Sequence, residues 1–161
     1  MKKMLWTFCA ILIMGTAGLC SEGIERGVEG LDWKQSPAKS RYKLERIERL
    51  KDIESYCPVN PFAYPQEGVF KVYFAGKPDT KPVFWFYKKQ FAELQLFDLD
   101  PELSLAALGE LYGQPTKILE NDTPEGLQRW DKGDILIEYV CFENQKAVIW
   151  FKHKELSKKM N

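Results

Sequence analysis

Two dipeptides constrain what this chain can fold into more than any other feature. Ser36-Pro37 and Asp100-Pro101 each set a short polar side chain directly before a proline. Such a residue caps the free N–H groups of a first helical turn, and proline suits the position after it because its missing N–H costs nothing there. Each dipeptide therefore predicts a helix start. The first helix is expected over 36–54, with Leu44, Ile47, Leu50 and Ile53 as a narrow apolar stripe and Glu45 pairing with Arg49 one turn away on a solvated face. The second carries Leu103, Leu105, Leu108 and Leu111 and stops at Gly113, with Pro115 just beyond.

Strand signals fill the space between and after these helices. Three prolines between Cys57 and Pro65 exclude regular structure there. Strands are expected at Val69–Phe74, Val83–Tyr87 and Phe91–Phe97, with Gly76-Lys77-Pro78-Asp79 as a turn. A short strand near 116–120 and a loop over 121–126 come next, then strands at 127–131, 134–142 and 146–153, with a turn at 143–145. The expected class is α+β, an antiparallel sheet of about six strands with two main helices on one face. Gln90–Phe97 echoes Gln145–Phe151, which suggests a diverged internal duplication, α-βββ twice, with halves at 36–97 and 100–153.

The first 20 residues read as an export signal. Lys2 and Lys3 precede an apolar run from Met4 to Met14, and Gly15-Thr16-Ala17-Gly18 is a small-residue patch. The run falls short of the roughly 20 apolar residues that span a bilayer. Cleavage fits after Ala17 or after Cys20, and lipidation of Cys20 is a third alternative, with Leu19 departing from the usual small residue. Residues 21–35 read as a flexible arm, 36–153 as one α+β domain and 154–161 as a basic tail. The expected location is periplasmic or secreted, with membrane attachment only if Cys20 is lipidated.

Removing Lys2 and Lys3 leaves 21 basic residues against 23 acidic ones, so bulk charge points to no nucleic-acid partner. With 45% hydrophobic and 14% aromatic residues the chain is rich enough to fold. In an oxidising compartment, Cys57 and Cys141 are candidates for one disulfide, which would stabilise by about 4–5 kcal/mol; two separately buried thiols are the alternative.

The phrases Gly30-Leu31-Asp32-Trp33-Lys34-Gln35-Ser36-Pro37 and Leu108-Gly109-Glu110-Leu111-Tyr112-Gly113-Gln114-Pro115 resemble parts of uncharacterised bacterial periplasmic and lipoprotein domains. A helix-plus-hairpins unit occurring twice is also similar to the architecture of β-lactamase inhibitor proteins. That resemblance implies a protein-binding surface on the sheet face opposite the helices, and it transfers no catalytic residue.

No catalytic or cofactor motif stands out, and a non-enzymatic role is expected. The one histidine, His153, lies between Lys152 and Lys154 without an acidic neighbour to orient it, and reads as a solvent-facing strand end. Cys57, Cys141 and His153 lack the close-spaced pair of a zinc site. Asp98-Leu99-Asp100-Pro101-Glu102 has the composition but not the spacing of a calcium loop, and Asp100 reads as a helix cap. Glu120, Asp122, Glu125 and Asp131 are the carboxylates that a hydrolase alternative would use, and Asn121-Asp122-Thr123 reads as a turn.

The aromatic strands carry the functional expectation. Half-covered antiparallel strands alternate apolar and polar residues, yet Val83–Tyr87 and Val148–Phe151 are apolar on both sides. Both sheet faces must be covered or adhesive, and covering of the second face by the N-terminal arm, the Pro-rich loop or the C-terminal tail is the first explanation to weigh against binding. A face bearing Trp85, Tyr87 and Trp150 is the candidate binding surface for a protein partner or a second copy of the chain, while a pocket between sheet and helices is the alternative for a small apolar ligand.

Overall fold

The structure, a computed structural model, describes residues 22–119, 126–142 and 146–161. It begins with helix α1 (Glu22–Arg26) and a two-residue ladder of β1 (Gly27–Val28) against β2 (Leu31–Asp32). This stretch is not the expected loose arm. Ile24, Val28 and Leu31 are buried, and Trp33 stacks on Phe91 at 4.5 Å while its Nε1 donates to Ile24 O at 2.7 Å. Its apolar residues are too sparse to show a period, but together they cover the end of the sheet.

The expected helix over 36–54 is absent. Pro37–Lys39 forms a single 3-10 turn, and Ser36 makes no side-chain cap. The chain then forms a hairpin of β3 (Leu44–Leu50) and β4 (Ile53–Pro58). The Leu44, Ile47, Leu50 spacing of three fits neither a strand nor a broad helical face. A β-bulge at Ile47, between Arg46 and Glu48, shifts the register, so Leu44 and Leu50 fall on opposite faces, and Ile47 and Leu50 are both exposed: the spacing marks no buried face. Pairing of β4 with the aromatic strand after it, Ile53 opposite Tyr87 and Tyr56 opposite Phe84, outweighs helix propensity. Glu45 and Arg49 consequently do not pair, and Arg49 reaches Glu54 at 3.4 Å.

The opposite error occurs one element later. Val69–Phe74 lies inside helix α2 (Gly68–Ala75), not in a strand. Its β-branched and aromatic residues suit a strand locally, but Val69, Phe70, Val72 and Tyr73 are buried against surrounding aromatics. Lys71 faces outward to Glu110 at 2.6 Å.

The remaining elements keep the expected order: β5 (Val83–Tyr87), β6 (Gln90–Leu99), helix α3 (Pro101–Tyr112), β7 (Lys117–Leu119), β8 (Leu127–Lys132), β9 (Ile135–Cys141) and β10 (Ala147–His153). Asp100 caps α3 as predicted, its Oδ1 accepting from Leu103 N at 3.0 Å. The basic tail forms α4 (Lys154–Ser157). The loop expected at 121–126, apart from Gly126, and the turn at 143–145 lie outside the described residues.

Eight strands, rather than about six, make one antiparallel sheet ordered β3-β4-β5-β6-β10-β9-β8-β7. Two four-strand meanders thus lie back to back, joined through their last strands. The two echoing segments of the sequence supply those adjacent central strands, with Gln95 opposite Trp150. The helices do not repeat in the same way. One interrupts the first meander between β4 and β5, whereas α3 precedes the second.

Phe84, Leu94, Phe151, Tyr139 and Trp130 line the inner sheet face. Helices α2 and α3 cover it: Tyr64 lies between Phe70 and Phe84, and Trp130 Nε1 donates to Gly113 O at 2.8 Å at the end of α3. The short α4 takes the other face, where Ser157 Oγ bonds the buried Glu93 carboxylate. The helices therefore do not all share one side.

Candidate functional site: the outer sheet face

Strand alternation places Trp85 and Tyr87 of β5 and Trp150 of β10 on the outer face, because Phe84, Phe86, Ile149 and Phe151 turn inward. All three aromatics are half-buried. The register aligns them with charge. One row across the sheet runs Val83, Gln95, Trp150, Glu138, Arg129, Lys117, and the next runs Ser55, Trp85, Glu93, Lys152, Leu136.

Glu138 is the electrostatic centre of this face. Its carboxylate is buried yet held by Arg129 Nε at 2.7 Å and Lys152 Nζ at 2.6 Å. Burial alone would raise its pKa, but the hydrogen bond and charge of Lys152, together with Arg129, hold it below the usual range. Lys152 Nζ also lies 5.4 Å from the centre of the Trp150 ring. A nearly buried carboxylate with two cations locks these side chains, since removing one partner of such a set costs about 3–5 kcal/mol. The indole Nε1 of Trp85 is buried and has no hydrogen-bond partner among the described residues. The face is thus a rigid mixture of aromatic rings and fixed charges, suited to recognition.

The other residues singled out by sequence are scattered. Cys57 and Cys141 are not bridged to each other, so the candidate disulfide is not formed. They lie on β4 and β9, four strand positions apart, or about 19 Å at the usual strand spacing, and on opposite faces. The same separation dissolves the zinc set with His153. That histidine is not solvent-facing: it is 5% exposed, beside the Trp33 ring at 6.2 Å, and its Nδ1 has no partner among the described residues. Burial and the Lys34 charge hold its pKa below the ordinary value. Asp131 forms an ion pair with Lys154 at 2.6 Å. Glu120, Asp122 and Glu125, with Asn121 and Thr123, and also Cys20, lie outside the described residues.

Sequence reasoning missed Glu29. Its Oε1 accepts from Val69 N at 3.1 Å at the start of α2, and its Oε2 is buried without a partner among the described residues. Burial raises its pKa despite the backbone donors around it. It lines a pocket of about 230 Å³ with Arg26, Asp32, Val69 and Tyr112. Nothing in Gly27-Val28-Glu29-Gly30 signals this, because α2 arrives from about 40 residues away. A second hollow of about 370 Å³ lies between α3 and β8, against Leu105, Pro115 and Trp130. No protein-family model, curated protein or solved structure matches this chain.

Proposed function

We propose that this is an exported, non-enzymatic binding module whose outer sheet face contacts a protein partner through Trp85, Tyr87 and Trp150. The observation that carries this reading is the placement of all three rings on the outer face, Trp150 beside the Arg129–Glu138–Lys152 charge set and Trp85 and Tyr87 on the far side of Glu93, over which α4 is seated. Trp and Tyr dominate contact energetics because they bury a large area while losing little side-chain entropy. The leader at 1–20 supports export, with a lipidated Cys20 as the tethered form of the same module.

The test places a photo-reactive residue at Gln95, beside Trp150, and a control at Glu110 on the helix side, in the native host. A discrete adduct from position 95 that disappears with Trp150→Ala supports the reading. An adduct at twice the chain mass identifies a second copy as the partner. No adduct at 95, or the same adducts from 95 and 110, overturns it.

A further inference from the structure

Three hairpin tips and the C-terminal segment meet at one end of the sheet. Lys51-Asp52 joins β3 to β4, Lys88-Lys89 joins β5 to β6, Gly133-Asp134 joins β8 to β9, and α4 leaves β10 at the same end. Helix α1 is held there too, through Trp33 on Phe91, so the described chain begins at this end.

Two of these tips are built from unusual residues. Lys51, Lys88 and Lys89 have φ of 55°, 47° and 62°. Two-residue hairpin turns place glycine, asparagine or aspartate at such positions, where a longer L-side chain is strained. Here each strained position carries an exposed cation instead. With Arg49 they line a hollow of about 260 Å³ that also contains Asp52 and Glu54. Glu54 is occupied by Arg46 and Arg49, and among the described residues Asp52 forms an ion pair only with Lys88, at 4.0 Å. Lys51 and Lys89 have no ion pair among the described residues. Beside them Leu50 is 68% exposed and the Tyr87 ring lies under Lys88 Nζ at 5.5 Å. Lys158 adds an exposed cation at the same end, while Lys159 is paired with Glu155 at 2.7 Å.

We propose that this end of the sheet docks on an anionic lipid surface, with lysines against headgroup phosphates and Leu50 and Tyr87 at the headgroup level. Cations flanking an exposed aliphatic and an aromatic are the side chains that interfacial binding uses. A flat charged surface engages several separate tips at once, which a compact anion does not. The inference shares Tyr87 with the proposed outer-face contacts and otherwise rests neither on them nor on the identity of any protein partner.

The full chain, purified from an exporting host, is mixed with vesicles of phosphatidylcholine with or without phosphatidylglycerol. Amine labelling should then show Lys51, Lys88 and Lys89 protected only on phosphatidylglycerol, with Lys43 and Lys77 at the far end still labelled. The triple variant K51N/K88N/K89G keeps the same N-terminus and supplies residues that the turns prefer, so it should fold at least as stably. At about fivefold per lysine, its phosphatidylglycerol-dependent partition should fall about a hundredfold. Equal protection on both vesicle types overturns the proposal. So does unchanged partition of the variant, or loss of binding to soluble heparin alone while vesicle binding persists.

Discussion

Replacing Trp33 by alanine should destabilise the protein by about 3–5 kcal/mol, although Trp33 lies in a stretch whose sequence reads as loose. The indole is 8% exposed. Burying roughly 200 Å² at about 25 cal/mol per Å² contributes about 5 kcal/mol, and a compact unfolded chain reduces this to about 3–4. The near-parallel stack on Phe91 (6° between planes) adds about 1 kcal/mol, and the bond to Ile24 O about 1 more. Relaxation of the arm returns part of that sum. Trp33→Phe keeps a ring on Phe91 but strips the donor from Ile24 O, and should cost only about 1–2 kcal/mol. Urea unfolding of both variants, with equal slopes required, supplies the comparison. A free arm would make the alanine variant nearly neutral, within about 0.5 kcal/mol. An alanine cost below about 1 kcal/mol, or a phenylalanine variant as damaged as the alanine one, would refute the reasoning.

Two further outcomes are expected from buried groups. His153 has a lowered folded-state pKa, so the unfolded chain binds its proton more readily. Stability should hold above the ordinary value of 6.5 and decline as pH falls below it, and His153→Gln should flatten that slope in thermal melts between about pH 7 and 5. Because Cys57 and Cys141 lie four strand positions apart on opposite faces and are not bridged to each other, a reductant should leave the melting temperature unchanged. A loss of about 4–5 kcal/mol on reduction would instead require a bridge and a different strand order.

The identical cap-then-proline signal at two places shows where local reading succeeds and fails. At Asp100 the capping bond forms, because the apolar residues behind it include Leu108, fully buried beneath α3. At Ser36 no such bond forms, and the residues behind it become an edge hairpin. Their apolar spacing of three was compatible with a narrow helix, and only pairing with β5 and the bulge near Ile47 decided otherwise. Val69–Phe74 failed for the complementary reason. Burial among aromatic neighbours makes strand-forming residues acceptable in a helix.

The candidate face was more legible than the fold around it. Consecutive aromatics at 83–87 already require apolar groups on both sides of a strand, so Trp85 and Tyr87 had to point away from Phe84 and Phe86. Glu138, Lys152 and Arg129 were not visible as a set, since they converge from three strands through register alone. Local sequence determined the α+β class, the α3 helix, the strands from 83 to 97 and after 127, and the opposed faces of Trp85 and Phe84, because these depend on capping, turns and alternation over a few residues. Tertiary structure alone decided the hairpin at 44–58, the helix at 68–75, the packed arm, the burial of His153 and the separation of the two thiols. Each of those is settled by contacts between distant segments, whose energies exceed the fraction of a kcal/mol by which local propensities differ.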